Sequence, residues 1–191
     1  MIKSTILSEK FVHFKKSRNV KIFLIGYMCS GKTTLGKQIA ERLGIPFIDL
    51  DKEIESTSGK TIVSIFQTDG EDGFREIEKT ELLKQIKNQQ QFVMATGGGT
   101  PCYFKNMDVM KKNGLTIFLN VGVKELVRRN LQATELRPLL LGMNELQMNA
   151  FITDHLKQRL PFYKKSSFTL KESDTDMERI VQEINLMTHS R

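Results

Sequence analysis

Residues 20–26, VKIFLIG, form a short apolar run that ends in glycine, and YMCSGKT follows without a break. Beyond it Leu35, Ile39, Ala40 and Leu43 recur at helical spacing until Gly44 supplies a stop. A strand buried on both faces that passes through a glycine loop into a helix leaves few architectures open, because the helix must pack back onto the strand's own sheet. The rest of the chain repeats the alternation. Residues 45–51 read as a second strand ending in acids, and a mixed-charge helical stretch runs from about 52 to 88, punctuated at Gly59, Gly70 and Gly73. Residues 91–96 and 115–121 read as the third and fourth strands, with a helical segment between them. Helical stretches broken at residues 137–144 follow, then a short fifth strand at 167–170 and a terminal helix. Strands alternating with helices predict an α/β fold with a parallel sheet covered on both faces.

The loop itself carries chemistry. GYMCSGKT, from Gly26 to Thr33, fits the spacing G-x-x-x-x-G-K-S/T between a strand and a helix. Backbone N–H groups there, with the positive end of the helix, are suited to cradle a phosphate. Gly26, Cys29, Ser30, Gly31, Lys32, Thr33 and Thr34 are the candidate nucleotide contacts. Lys32 would bridge β- and γ-phosphates, and the Thr33 hydroxyl would ligate Mg²⁺. The loop implies a nucleotide but not its use.

Candidates for the second substrate lie elsewhere. Asp49 and Asp51 stand two apart at the end of the second strand, where their side chains would share a face bordering the ligand crevice. One carboxylate could hold the water shell of Mg²⁺ while the other orients or deprotonates a hydroxyl; the plainer alternative makes Asp51 an N-cap. Arg75 could form an (i, i+4) surface pair with Glu71 and nothing more, and Arg137 and Arg159 also read singly as surface charges. After the third strand come Gly97, Gly98 and Gly99, more glycine than a turn needs and expensive in backbone entropy.

The order of these motifs is informative. GYMCSGKTTLG, DLD, GEDGFREIE, TGGG, RPL and RLPFY appear in that succession, and over about residues 20–188 the chain resembles the shikimate kinase family. The resemblance implies a nucleoside monophosphate kinase-like P-loop fold: three layers around a five-stranded parallel sheet of order 2-3-1-4-5. A helical substrate-binding segment (about 51–80) and a lid (about 130–146) complete it. It implies transfer of the γ-phosphoryl of ATP, with Mg²⁺, to the 3-hydroxyl of shikimate in aromatic amino-acid biosynthesis. Carried onto this sequence, Asp51 contacts the acceptor hydroxyls as general base, and Asp49 belongs to the Mg²⁺ water shell. Arg75 and Arg159 bind the shikimate carboxylate, Arg137 reaches the phosphates from the lid, and Arg129, with Arg128 as the alternative, lies against adenine. Gly97, Gly98 and Gly99 then form a wall of the acceptor pocket, bare of side chains so that a polar ring can approach backbone N–H groups. A kinase for another polyol acid, such as gluconate, matches the arginines and the glycine triplet less well.

Composition narrows the remaining classes. No apolar stretch reaches the roughly 20 residues that a bilayer crossing needs, and residues 1–19 read as a basic leader without a secretory signal, ahead of one domain at 20–191. The net charge of +7 suits a phosphorylated small molecule as well as nucleic acid, but no stacking-aromatic or recognition-helix motif supports the latter. Cys29 and Cys102 are far apart, and His13, His155 and His189 are scattered, so neither a disulfide framework nor a zinc site is expected. The expectation is a cytoplasmic monomer acting on a small molecule, with neither nucleic acid nor membrane as partner.

Overall fold

The computed structural model describes residues 20–133, 140 and 142–189. Five strands, β1 (Lys21–Ile25), β2 (Phe47–Asp49), β3 (Phe92–Ala95), β4 (Leu115–Asn120) and β5 (Phe168–Lys171), form one sheet in the order β2-β3-β1-β4-β5. Every neighbouring pair is parallel. Among the described residues seven helices connect and cover it: α1 (Lys32–Leu43), α2 (Leu50–Ser58), α3 (Ile62–Asn88), α4 (Asn106–Asn113), α5 (Val123–Gln132), α6 (Glu145–Tyr163) and α7 (Met177–His189), with a 3-10 turn at Thr100–Cys102.

Strand residues alternate between two apolar layers, as the period of two dictates. Ile22 and Leu24 of β1 pack with Val93, Ile117 and Leu170 against Ile39, Ala40 and Leu43 of α1 and Ile180 and Ile184 of α7. Phe23 and Ile25 pack with Met94 and Phe118 against Ile54 of α2, Leu82 of α3, Leu126 of α5 and Ile152 of α6. The three-layer α/β/α architecture and its strand order are thus those expected.

Two expectations change. The second strand stops at Asp49 rather than Asp51, because Leu50, fully buried, already opens α2. Asp49 becomes the extended N-cap residue, and Asp51 sits in the first helical turn, where the helix dipole favours a carboxylate. The stretch from 52 to 88 is two helices, since Gly59 at φ +67° closes α2. Within α3, Gly70 interrupts the helical backbone at φ +70°, ψ −175°, whereas Gly73 stays helical. That interruption re-aims the arm carrying Glu71, Arg75 and Glu78. The basic leader and residues 134–139 and 141 of the expected lid, Arg137 included, lie outside the described residues.

Candidate active site

The carboxyl ends of β1, β2 and β3 meet at the site. After β1, Gly26 at φ +148°, Cys29 at φ +58° and Gly31 at φ +96° turn the chain tightly enough to present the N-terminus of α1. An ideal Cβ on Gly26 would lie 2.9 Å from the Leu119 carbonyl oxygen, so only glycine fits there. Lys32 Nζ donates to the carbonyl oxygens of Gly26 (3.0 Å) and Tyr27 (2.8 Å), lying along the loop that it would serve. Ser30 Oγ is buried and without a hydrogen-bond partner among the described residues, as suits a cradle built for an oxygen-rich ligand.

At the start of α1 the exposed Thr33 hydroxyl donates to Asp49 Oδ2 at 2.9 Å. These two hard oxygen ligands could hold Mg²⁺, which typically takes one or two protein oxygens together with substrate phosphates and water. No group of three or more potential ligands from His, Cys, Asp and Glu exists among the described residues.

Arg129 and Arg128 differ sharply. Arg129 donates from Nη1 to the Ser30 carbonyl at 3.2 Å and from Nε to Glu125 at 2.6 Å. With Ser30, Gly31, Leu35 and residues of β5 it lines a groove beside the loop. Arg128 points into solvent, held by Glu125 and Gln132. Arg129 is therefore the one of the two arginines that reaches the backbone of the glycine loop.

Around the glycine triplet the acceptor candidates converge. An ideal Cβ on Gly97 would lie 2.7 Å from Glu78 Oε1 and 3.2 Å from Asp51 Oδ1; one on Gly98, 3.2 Å from Arg159 Nη1; one on Gly99, 2.6 Å from Arg75 Cζ. Each missing side chain makes room for a different charged group. Neither arginine is a surface charge, as both are only 6 % exposed. Arg75 bridges the exposed Glu71 (Nη2, 3.0 Å) and the buried Glu78 (Nη1, 2.8 Å), so the expected Glu71 pair exists but is only the outer half of a network that runs inward. Arg159, on α6, forms no ion pair with any described residue, and its guanidinium lies 5.7 Å from the Tyr27 ring centroid.

Several groups here were not foreseen. Glu78 is fully buried, and its Oε1 accepts from Thr100 Oγ1 at 2.5 Å. It ends the GEDGFREIE motif, so its place there was the available signal. Tyr163, fully buried on α6, donates to the Gly98 carbonyl at 2.6 Å and fixes the triplet from behind. Tyr27, in the loop, is joined to His155 Nδ1 of α6 at 3.0 Å. Burial pushes the Tyr27 phenol up to about 12. Burial, reinforced by Arg159, holds His155 below its ordinary 6.5, with Glu71 acting in the opposite direction. A protonated phenol sharing one hydrogen bond with a neutral imidazole follows.

That pair predicts a pH effect. Below pH 6.5 the unfolded chain binds a proton at His155 before the folded protein does, so stability falls as the pH drops through that range. Thermal melts from pH 7.5 to 5 should show a smaller acid-side loss in His155→Gln than in the native chain. Identical slopes would assign the loss to other groups.

A glycine loop at a helix N-terminus, a hydroxyl–carboxylate pair beside it and two buried arginines at the glycine triplet are the features of a P-loop phosphotransferase. Comparisons narrow that class. The family model described as "Shikimate kinase" matches residues 28–188. A shikimate kinase of Parabacteroides distasonis is 41 % identical over 165 residues, covering 86 % of this chain and 95 % of that protein. The crystal structure of the shikimate kinase of Bacteroides thetaiotaomicron superposes with a TM-score of 0.80 at 40 % identity, covering 89 % and 98 % of the two chains. That of Acinetobacter baumannii, in complex with shikimate, gives 0.77 at 34 %, covering 90 % and 93 %. The chain belongs to the shikimate kinase family and is an ATP-using phosphotransferase. No described helix is long and apolar enough to cross a membrane.

Proposed function

We infer that the protein transfers the γ-phosphoryl of ATP to the 3-hydroxyl of shikimate, in the route to aromatic amino acids, with the residues around the glycine triplet as acceptor site. The convergence of Asp51, Arg75 and Arg159 on Gly97, Gly98 and Gly99 carries this reading. One end of the pocket holds a carboxylate able to take a hydroxyl proton, and the other holds two guanidiniums suited to a carboxylate.

The steps follow from the groups. Loop N–H groups, with Ser30, Gly31, Lys32 and Thr34, hold the phosphates, and Arg129 lines the adenine side. Thr33, and Asp49 through water, would hold Mg²⁺, which would supply positive charge against the phosphates during transfer. Arg75 and Arg159 orient shikimate through its carboxylate, presenting the 3-hydroxyl to Asp51. As that oxygen attacks the γ-phosphorus, its proton passes to Asp51 and the bond to the ADP oxygen breaks. Lys32 stabilises charge on the transferring group. Arg137 of the lid joins it in that role, and residues 51–80 serve as the substrate-binding segment. The two unpaired thiols, Cys29 and Cys102, suit a reducing cytoplasm.

A coupled ADP-release assay with ATP plus shikimate against ATP plus gluconate tests the acceptor. Turnover on gluconate alone would overturn the assignment. The glycines provide a finer check, because alanine suits the backbone of both Gly98 and Gly99, neither of which has a left-handed φ. Gly99→Ala drives its methyl into the guanidinium of Arg75, the movable end of a side chain, so the fold should survive while Arg75 loses its place. Expected is a rise of about tenfold or more in KM for shikimate, larger than for Gly98→Ala, with KM for ATP within about twofold. Equal rises in both constants would return the triplet to a structural role.

A further inference from the structure

The turn that follows the glycine triplet grips Arg75 through its partners. Thr100 opens the 3-10 turn and Tyr103 closes it, and at three residues per turn positions i and i+3 fall on one side. Thr100 Oγ1 donates to Glu78 Oε1 at 2.5 Å, while Glu78 Oε2 accepts from Arg75 Nη1 at 2.8 Å. Tyr103 Oη donates to Glu71 Oε1 at 2.7 Å, the same oxygen that accepts from Arg75 Nε (3.3 Å) and Nη2 (3.0 Å). Each carboxylate on Arg75 is therefore held by a hydroxyl from one short turn. The Tyr103 ring also lies 4.2 Å from Arg75 Cζ, a stacking distance that fixes the plane of the guanidinium.

The same turn is tied to the acceptor wall. Thr100 N donates to the Gly97 carbonyl at 3.2 Å and Cys102 N to that of Gly99 at 2.8 Å. Cys102 itself, between the two hydroxyls, is a poor candidate for any charged role, since burial pushes its thiol up to about 11. Wall, turn, two carboxylates and arginine thus form one connected unit.

We propose that Thr100 and Tyr103 are positioning residues for the acceptor, a pair of hydroxyls that hold Glu78 and Glu71 so that Arg75 presents a fixed fork to the substrate carboxylate. This rests on the reading of Arg75 as a carboxylate-binding residue. A guanidinium on a long flexible stem loses entropy when it is ordered by a ligand, and a brace ordering it beforehand removes that loss from binding. The effect belongs to acceptor binding, not to the phosphoryl-transfer step.

The test uses Thr100→Val and Tyr103→Phe, each deleting one hydroxyl while keeping shape, alone and together, with Arg75→Ala as reference. Each single variant should raise KM for shikimate about three- to tenfold and the double variant about thirtyfold, with kcat and KM for ATP within about twofold. Thr100→Ser, which retains the hydroxyl, should restore the native KM. If Thr100→Val prevents folding, Tyr103→Phe at its half-exposed position decides alone. An unchanged KM for shikimate in Tyr103→Phe, with Arg75→Ala strongly impaired, overturns the brace and leaves the carboxylate reading standing. An unchanged KM in Arg75→Ala overturns both. Equal rises in the two KM values mean general loosening, and overturn the positioning role.

Discussion

Asp51→Asn is expected to lower kcat by about a thousandfold while leaving the fold and the KM for ATP nearly unchanged. The replacement keeps the shape of the side chain and its capacity to accept a hydrogen bond, so it can still orient a hydroxyl. What it loses is the ability to take a proton as the oxygen attacks phosphorus, an effect usually worth about 10² to 10⁴ in rate. Asp51 is half-buried in the first turn of α2, where its charge contributes about 0.3–1 kcal/mol through the helix dipole. The helix is anchored by Leu50 and Ile54, both fully buried, which the substitution does not touch. A thermal melt within a few degrees of the native chain, beside near-complete loss of turnover in the coupled assay, is the expected pair of results. A variant that keeps most of its rate would show that Asp51 only positions the acceptor, or that the proton leaves with the phosphate.

The placement of Asp51 also shows where the sequence was legible. Strands β1, β3 and β4 are continuous apolar runs because both of their faces are buried, and a run of that kind is visible without tertiary information. β2 is three residues long, too short to display any period, so its end could not be told from the start of α2. The phosphate loop was readable because its function resides in backbone geometry that only glycine permits at Gly26. Arg75 and Arg159 were the opposite case. A local pattern contains Glu71 four residues before Arg75 and therefore suggests an exposed pair. Burial of Arg75 itself comes with Glu78, Thr100, Tyr103 and Gly99 around it, most of them distant in sequence. Arg159 sits beside exposed Lys157 on α6 and looked solvent-facing for the same reason. Glu78 and Tyr163 carried no sequence signal of their own beyond motif membership, since their roles exist only once α3 and α6 have packed around the triplet. Order of motifs along the chain supplied what local pattern could not.

Arg159→Ala should weaken shikimate binding by roughly 2–4 kcal/mol, about 30- to 1000-fold in KM, with little loss of stability. Arg75→Ala should match it in binding and differ in stability. Arg75 lies between Glu71 and Glu78, and its removal leaves the fully buried Glu78 carboxylate without its cation. Breaking a buried pair in that way costs about 3–5 kcal/mol, or roughly 10 °C in Tm for a chain of this size. Arg159 is as deeply buried yet forms no ion pair with a described residue. Among the described residues its desolvation is offset only by its attraction to Glu71, its hydrogen bond with Tyr163 and the Tyr27 ring face, so deleting it removes an unfavourable term along with those contacts. The two nearly cancel, and the Tm should stay within about 3 °C. If the acceptor carboxylate neutralises this cation, as proposed, added shikimate should raise the Tm of the native chain but not that of Arg159→Ala. Parallel thermal-shift and steady-state measurements on the two variants separate these roles. If Arg159→Ala lost as much stability as Arg75→Ala, its charge would be serving the fold, and the carboxylate of the acceptor would have to be bound by Arg75 alone.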